Sequence, residues 1–422
     1  MLSAVCRCQC KMCSAPGSGH CGTGPSCGAP RRRRAAGRPD ARGVGEALRL
    51  LKAGSGSHSP SVADVERAIP GLVEIDACFL SNPYATDEVM HRLGRVSSQT
   101  LERMVSHYPS QGAAIAEVLA PTVGVRPDRL LLANGASEAI QALLARAPGP
   151  LVIPLPTFSA YYEFATGPVV ALQLRPQDDF RLDFDALDAL VDRHPRATVV
   201  IINPNNPDGG PVDHGALVDF VRGAASRVHQ VIVDESFGAF ASEQRPRSLA
   251  PLVEELPHLV VVNSLSKSHG IPGLRLGYAV MSPQRARLLR ARSLWNLNAF
   301  GEWFCGIMAD PGYQRAYERA RRRYVREARH LFDGLAELPS VHVYPTAANF
   351  ALLELDRPAH EVAAALLAHH GIYVRDCADK LGLQGDRYLR VAARRDAENR
   401  RILAAFADVL SEPVRRPLTV AA

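Results

Sequence analysis

Lys267 stands in the stretch N-S-L-S-K-S-H-G-I-P-G-L-R-L-G-Y, residues 263–278. The chain has 49 Lys and Arg residues, of which only Lys11, Lys52, Lys267 and Lys380 are lysine. Arginine fills almost every other basic position. A lysine in an apolar setting therefore points to a task arginine cannot perform, which is to lose its proton and act as an amine nucleophile. Ser264 and Ser266 add hydroxyls and Arg275 adds a fork-shaped cation, a set suited to a phosphate group. Gly270, Gly273 and Gly277 let backbone pass close to a ligand. An imine-forming lysine beside a phosphate cradle describes a site for pyridoxal 5′-phosphate (PLP).

Such a site must also hold the far side of the phosphate and the ring. Gly135, Ala136 and Ser137 open an apolar helix directly after a short apolar run. Free N–H groups and the helix dipole there favour an anion. Asp234 ends the run V-I-V-D-E-S-F. A buried carboxylate needs a cationic partner. A protonated pyridine nitrogen provides one, and the pairing raises that nitrogen's pKa.

The elements that must position these residues are short apolar strands alternating with helices. Strands are expected at residues 129–133, 151–154, 198–202, 230–234, 259–263 and 278–281. That alternation is the pattern of an α/β fold with a mainly parallel central sheet covered by helices on both faces. Open sheets of this kind bind ligands at strand ends. After residue 293 the character changes to a smaller α+β C-terminal domain. It has a highly charged helix at 313–338, whose charge run reads as a solvated face. Strands follow near 341–345, 350–355, 372–375 and 388–391, with helices at 359–369 and 397–410. The expected organisation is an extension and linker at 1–60, a segment at 61–93 packing with the small domain, a large cofactor-binding domain at 94–293, a small domain at 294–412 and a tail at 413–422.

Five motifs in order resemble the class I/II aminotransferase family, within fold type I PLP enzymes. They are G-A-S-E at 135–138, P-L-P-T-F at 154–158, N-P-N-N-P-D-G at 203–209, D-E-S-F at 234–237 and the Lys267 stretch. The resemblance covers roughly residues 73–410. It implies that Phe158 stacks on the cofactor ring and that Asn206 donates to the ring oxygen. It also implies that Arg390, in R-V-A-A-R, grips a substrate carboxylate, with Tyr84 and Asn349 lining the cleft. Tyr108, in H-Y-P-S, is similar to a tyrosine that reaches the partner subunit's cofactor phosphate, which implies a homodimer with shared sites. Two departures stand out. Asp208 replaces the usual Thr, and Phe237 replaces the usual Tyr, removing one donor to the ring oxygen. The D-E-x-F pattern looks more like the L-threonine-O-3-phosphate decarboxylase subgroup than the histidinol-phosphate aminotransferase subgroup.

Composition sets the remaining bounds. A 47% hydrophobic and 22% charged chain is ordinary for a globular protein. No apolar run approaches the roughly 20 residues needed to span a bilayer. The net charge of +6 is concentrated in residues 1–42, which carry eight basic side chains and one acid, leaving the rest at −1. The body has no global reason to bind nucleic acid. Six of nine cysteines, from Cys6 to Cys27, lie in the extension. Cys78, Cys305 and Cys377 are scattered, which suggests a reducing, cytoplasmic setting. The extension has three readings: a metal site at Cys10, Cys13, His20, Cys21 and Cys27, a targeting peptide, or a disordered Cys/Arg/Gly-rich segment. The last is preferred. The body is expected to bind no metal.

The function these residues imply is amino-group transfer between a small amino acid or phosphorylated amino compound and a 2-oxo acid. Lys267 would be the covalent anchor and base, and Asp234 would hold the ring. Decarboxylation on the same cofactor is the alternative. The residues do not choose between them, because the bond broken depends on how the substrate is tilted. A PLP-binding regulator with a DNA-binding module is disfavoured, because residues 1–60 lack two amphipathic helices. A cofactor-free homologue is discouraged by the presence of Lys267, Asp234 and Arg275.

Overall fold

The computed structural model describes residues 40–56, 58–244, 247–292 and 295–411. The N-terminal cysteine cluster and the 413–422 tail lie outside the described residues. In chain order the strands are β1 (Ile75–Asp76), β2 (Leu130–Ala133), β3 (Leu151–Leu155), β4 (Val169–Gln173), β5 (Thr198–Ile202), β6 (Gln230–Asp234), β7 (Leu259–Ser264), β8 (Gly277–Val280), β9 (Val341–Val343), β10 (Phe350–Leu355), β11 (Ile372–Tyr373), β12 (Arg375–Asp376) and β13 (Tyr388–Ala392).

Seven strands form the large sheet in the order β2-β8-β7-β6-β5-β3-β4. The strands from β3 to β7 pair parallel, and β8 runs antiparallel to both β2 and β7. The apolar runs explain this layer. In β5, β6 and β7, Val199, Val231 and Leu259 face one core while Val200, Ile232 and Val260 face the other. With a side-chain period of two, a strand can be apolar throughout only if both faces are covered. Edge strand β4 was not among the expected strands. Its residues alternate between exposed and half-buried, so it lacks the continuous apolar run that marks the others.

The direction of the strands assembles the site. β2, β3, β5, β6 and β7 all run the same way, so their C-terminal ends share one edge. Gly135, Phe158, Asn206, Asp234 and Lys267 follow or end those five strands. The reversed β8 begins at that same edge, which brings in Arg275 just before Gly277.

The smaller sheet has the order β12-β13-β10-β9, all antiparallel. Leu331 and Phe332 of helix Pro311–Ala336, Val362 and Leu366 of helix Ala359–His370, and Ile402 and Phe406 of helix Asp396–Ser411 join Leu353, Leu389 and Val391 in its core. The charged 26-residue helix is solvated on one face, with one exception. Arg321 is 1% exposed and donates to the carbonyls of Ala239, Ser242, Glu243 and Gln244 while pairing with Glu318. A buried guanidinium is tolerable there because its donors are used.

One expectation needs correction. Residues 41–54, read from sequence as part of a disordered extension, form helix Ala41–Gly54. Asp40 caps it, accepting from the Gly43 amide at 2.7 Å. Val44, Leu48 and Leu51, spaced i, i+4, i+7, make one apolar stripe. They pack with Val65, Leu72, Leu367 and Tyr373. The stripe is only three residues long, and the Gly/Arg-rich sequence around it masked its period.

Candidate active site

The candidate phosphate cradle is built by close backbone approach. Gly135 has φ 86° and caps helix Ala136–Leu144. A Cβ there would sit 2.7 Å from Arg275 Nη2, and a Cβ on Gly277 would sit 2.5 Å from the Ala136 amide nitrogen. Only glycine allows the guanidinium and the helix start to approach this closely. Arg275 has φ 51°, a left-handed conformation that a non-glycine residue adopts at some cost. Ser264 and Ser266 are buried, and the Ser266 hydroxyl has no hydrogen-bond partner among the described residues. An orphaned buried hydroxyl is costly unless a ligand satisfies it. The helix N-terminus, Ser264, Ser266 and Arg275 fit a phosphate.

Lys267 lies in the single turn Leu265–Ser268 that follows β7. Its ammonium is pushed down to about 8, chiefly by burial and then by Arg390 and Arg275, against the pull of Asp234 and Asp76. The backbone holds the turn in place, since the Asn82 amide donates to the Lys267 carbonyl at 3.0 Å. Asp234 is 4% exposed. Burial raises its carboxyl pKa, opposed by hydrogen bonds from Ser236 and Tyr161 and by Lys267. The Tyr161 hydroxyl donates to Asp234 Oδ2 at 2.8 Å and the Ser236 amide to Oδ1 at 2.9 Å. Sequence reasoning missed Tyr161. It lies 73 positions before its partner, and no local signal links the two.

Asn206 is buried and accepts at Oδ1 from Arg390 Nη1 at 2.7 Å, which leaves its amide NH2 to donate. Arg390 is 8% exposed, also donates to the Cys78 carbonyl at 3.0 Å and lies over the Phe350 ring. Its Nε has no partner among the described residues. Asp208 shapes the loop. Its carboxylate accepts from the Asn205 amide and, at 2.7 Å, from the Gly210 amide, and burial pushes its pKa up to about 7. Phe158 is half-buried, with its ring edge-on to Tyr161 and to His58. Phe237 packs edge-to-face on Phe350 within the small-domain core.

The three remaining candidates are placed differently. The Asn349 amide donates to Tyr324, and its Oδ1 has no partner among the described residues. The Tyr84 hydroxyl donates to Glu327 and accepts from the Asp396 amide, and Arg323 and Arg395 lie over its ring, so these contacts are with the two C-terminal-domain helices and their flank and not with Lys267 or Arg390. Tyr108 is 86% exposed and stacks on Trp295, with ring centroids 5.1 Å apart.

A second group of cations lies beside Arg390. Arg375 is its direct cross-strand partner between β12 and β13, so the two guanidinium stems share one face. Arg375 is 4% exposed and pairs with Asp379 at 2.7 Å. Lys52, from the N-terminal helix, pairs with the same Asp379 at 2.7 Å and donates to the carbonyls of Gly56 and His58. Lys380 is 7% exposed, and burial followed by Arg375 lowers its pKa to about 8. Sequence reasoning did not assign Lys52, Arg375 or Lys380 to the site. The scarcity of lysine that singled out Lys267 applies equally to Lys52 and Lys380 and could have found both. Among the described residues, no cluster of His, Cys, Asp and Glu could hold a metal ion, and no helix is long and apolar enough to cross a membrane.

A buried lysine, a buried carboxylate and a set of groups that fits a phosphate meet at one sheet edge, the arrangement expected of a fold type I PLP-dependent enzyme. The family model "Aminotransferase class I and II" matches residues 79–406, and the chain belongs to that family. It is similar to the L-serine phosphate decarboxylase of Campylobacter jejuni, 36% identical over 87% of this chain and 97% of that protein. It is also similar to the L-serine phosphate decarboxylase of Sulfurospirillum multivorans, 38% identical over 87% of this chain and 96% of that protein. A solved decarboxylase from S. multivorans superposes with a TM-score of 0.82, at 36% identity, over 88% of this chain and 97% of that one. These relatives overturn the expectation of an aminotransferase, and the 2-oxo acid partner loses its support with it. The family name describes an ancestry and a cofactor, and the same cofactor serves whichever Cα bond is held in line with its π-system.

Proposed function

We propose that this chain is a PLP-dependent decarboxylase of a phosphorylated L-amino acid, with O-phospho-L-serine as the first substrate to test. The observation that carries this reading is the pairing of Arg375 and Arg390 as opposed like charges on one buried face. Like charges directly opposite in a sheet are destabilising. Asp379 pairs with both Arg375 and Lys52, so the face holds more cations than carboxylates among the pairs described. A ligand carrying both a carboxylate and a phosphate complements such a basic face, and the near-full-length decarboxylase relatives support the choice.

Bound PLP supplies an electron sink for the pair released when a bond at the substrate Cα breaks. Asp234, held by Tyr161 and Ser236, fixes the negative charge that the ring nitrogen needs. Arg390 orients an anionic group of the substrate from beside Asn206. Loss of CO2 leaves Cα in need of a proton. Lys267 Nζ, with a pKa of about 8, is the proposed donor. The balanced reaction is O-phospho-L-serine plus one proton giving O-phosphoethanolamine and CO2. The test is a panel of O-phospho-L-serine, O-phospho-L-threonine and L-serine. Turnover of L-serine at the rate of its phosphate ester would defeat the reading.

The enzyme is also proposed to act as a homodimer in a reducing cytoplasm, where the buried Cys78, Cys305 and Cys377, free among the described residues, stay thiols. Helix Ser98–Ser106 has no buried residue, yet it carries the exposed Leu101 and Val105 next to Tyr108 and Trp295. An apolar patch of this kind marks an interface. Tyr108→Phe is expected to weaken cofactor binding by about 1 kcal/mol or more, one hydrogen bond to a charged group. If Tyr108 reaches the partner's site, mixing Tyr108→Phe chains with Lys267→Ala chains creates one doubly lesioned site and one intact site per heterodimer. Cofactor titration of the mixture reads this directly. One lesion in every site would contradict the sharing.

A further inference from the structure

Lys380 has no role in the chemistry described so far, and its surroundings are unusual. It sits in the turn after β12, where its amide donates to the Cys377 carbonyl at 2.9 Å and the Leu383 amide donates to its own carbonyl at 3.0 Å. The turn is pressed onto the end of β3. Gln173 Nε2 donates to the Gly382 carbonyl at 2.8 Å, and a Cβ on Gly382 would lie 2.7 Å from the Pro156 nitrogen. Pro156 is two residues before Phe158, so the turn is fixed against the stretch that carries the ring-stacking candidate. The segment after the N-terminal helix bounds the same space, with the His58 ring edge-on to Phe158. Lys380 is thus set on rigid backbone between the Arg375–Arg390 pair and Phe158.

Its charge has no direct partner among the described residues. Lys380 Nζ makes no hydrogen bond or ion pair with any described residue. The nearby carboxylate, Asp379, is already bound by Arg375 and Lys52. Burial and the repulsion of Arg375 and Arg390 act against its ionised form. A lysine kept almost fully buried, unpaired and among arginines costs stability unless an anion arrives. A doubly charged phosphate is the ligand class that three clustered cations suit.

We infer that Lys380 is a specificity-determining residue that, with Arg375, binds the distal phosphate of the substrate, leaving Arg390 to the carboxylate. This rests on the reading of the substrate as a phosphorylated amino acid. Phosphate binding at Lys380 would select phosphate esters over free hydroxy-amino acids, because a neutral hydroxyl leaves the buried Lys380 ammonium without a counter-charge.

The experiment compares wild-type, Lys380→Met and Lys380→Arg holoenzymes. Calorimetric binding of O-phosphoethanolamine, which has the phosphate but no carboxylate, reads the subsite without Arg390's ligand. The expected result is a roughly 10–100-fold loss of affinity in Lys380→Met, the size of a charge-assisted contact, with partial rescue in Lys380→Arg. KM for O-phospho-L-serine should rise by a similar factor, with kcat changed much less, the signature of uniform binding. The ligand-free melting temperature should be unchanged or higher, since methionine removes an unpaired buried charge; a structural role would lower it. Unchanged affinity for O-phosphoethanolamine in Lys380→Met would overturn this inference while leaving the decarboxylase reading intact. A wild-type enzyme that binds O-phosphoethanolamine through Lys380 but releases no CO2 from O-phospho-L-serine would overturn that reading and keep the subsite.

Discussion

Lys267→Ala is expected to abolish turnover, with a loss of at least about 10³-fold, since it removes both the covalent anchor and the proposed proton donor. The cofactor's phosphate cradle does not depend on this side chain. Gly135, Ser264, Ser266 and Arg275 remain, and the Ser266 hydroxyl still needs a partner. The variant should therefore still bind PLP, but without a covalent link. Borohydride reduction followed by peptide mass mapping separates the cases. Wild-type protein should carry the pyridoxyl group on Lys267, and the variant should carry none. An adduct on Lys52 or Lys380 instead would refute the assignment of Lys267 as the anchor.

Asp234→Asn is expected to cost about 10²–10⁴-fold in turnover while leaving the fold intact, because the partner of a buried cation is removed. The substitution keeps the volume, and the amide oxygen can still accept from Tyr161 or Ser236. The stability effect has a definite sign. Burial raises the Asp234 pKa, so its contribution to stability is complete below the unfolded value of about 4 and is lost as pH rises through the folded value. At neutral pH Asp234 therefore lowers the stability of the cofactor-free protein. The cofactor-free Asn variant should melt at the same temperature or higher, and the advantage should vanish in acid. With cofactor bound, the order should reverse, because wild-type Asp234 then has its cation. Calorimetry with and without PLP at about pH 3.5 and about pH 7.5 measures all four cases. A variant less stable in both forms at both pH values would mean that Asp234 is a structural acceptor and not the ring's partner.

How much of this was legible in the sequence follows from where each signal lies. Lys267, Asp234 and Asn206 each follow or end a strand apolar on both faces, so a local run of valine and isoleucine ending in a polar residue marks both the strand and the site. The parallel order then does the rest, because strands running one way deliver their ends to one edge. Tyr161 was not legible as Asp234's partner, since the contact exists only after β3 and β6 take their places in the sheet. Arg375 was hidden among many arginines, and only the register of β12 against β13 sets it opposite Arg390. The N-terminal helix was masked by its own composition, and with it the Lys52–Asp379 ion pair that ties that helix to the turn after β12. The reaction itself was legible only as the alternative that the D-E-x-F pattern at 234–237 suggested. Transamination and decarboxylation need the same lysine, the same carboxylate and the same cradle, and differ only in which Cα bond the pocket turns toward the ring.

The account therefore rests most directly on one measurement, the fate of the carboxylate. Holoenzyme is incubated with O-phospho-L-serine labelled at C1, first with no 2-oxo acid and then with 2-oxoglutarate present. The account predicts many turnovers of labelled CO2 per site, matched one-to-one by O-phosphoethanolamine, at a rate that 2-oxoglutarate does not change. Label retained in a keto acid, with turnover appearing only when 2-oxoglutarate is added, would contradict it.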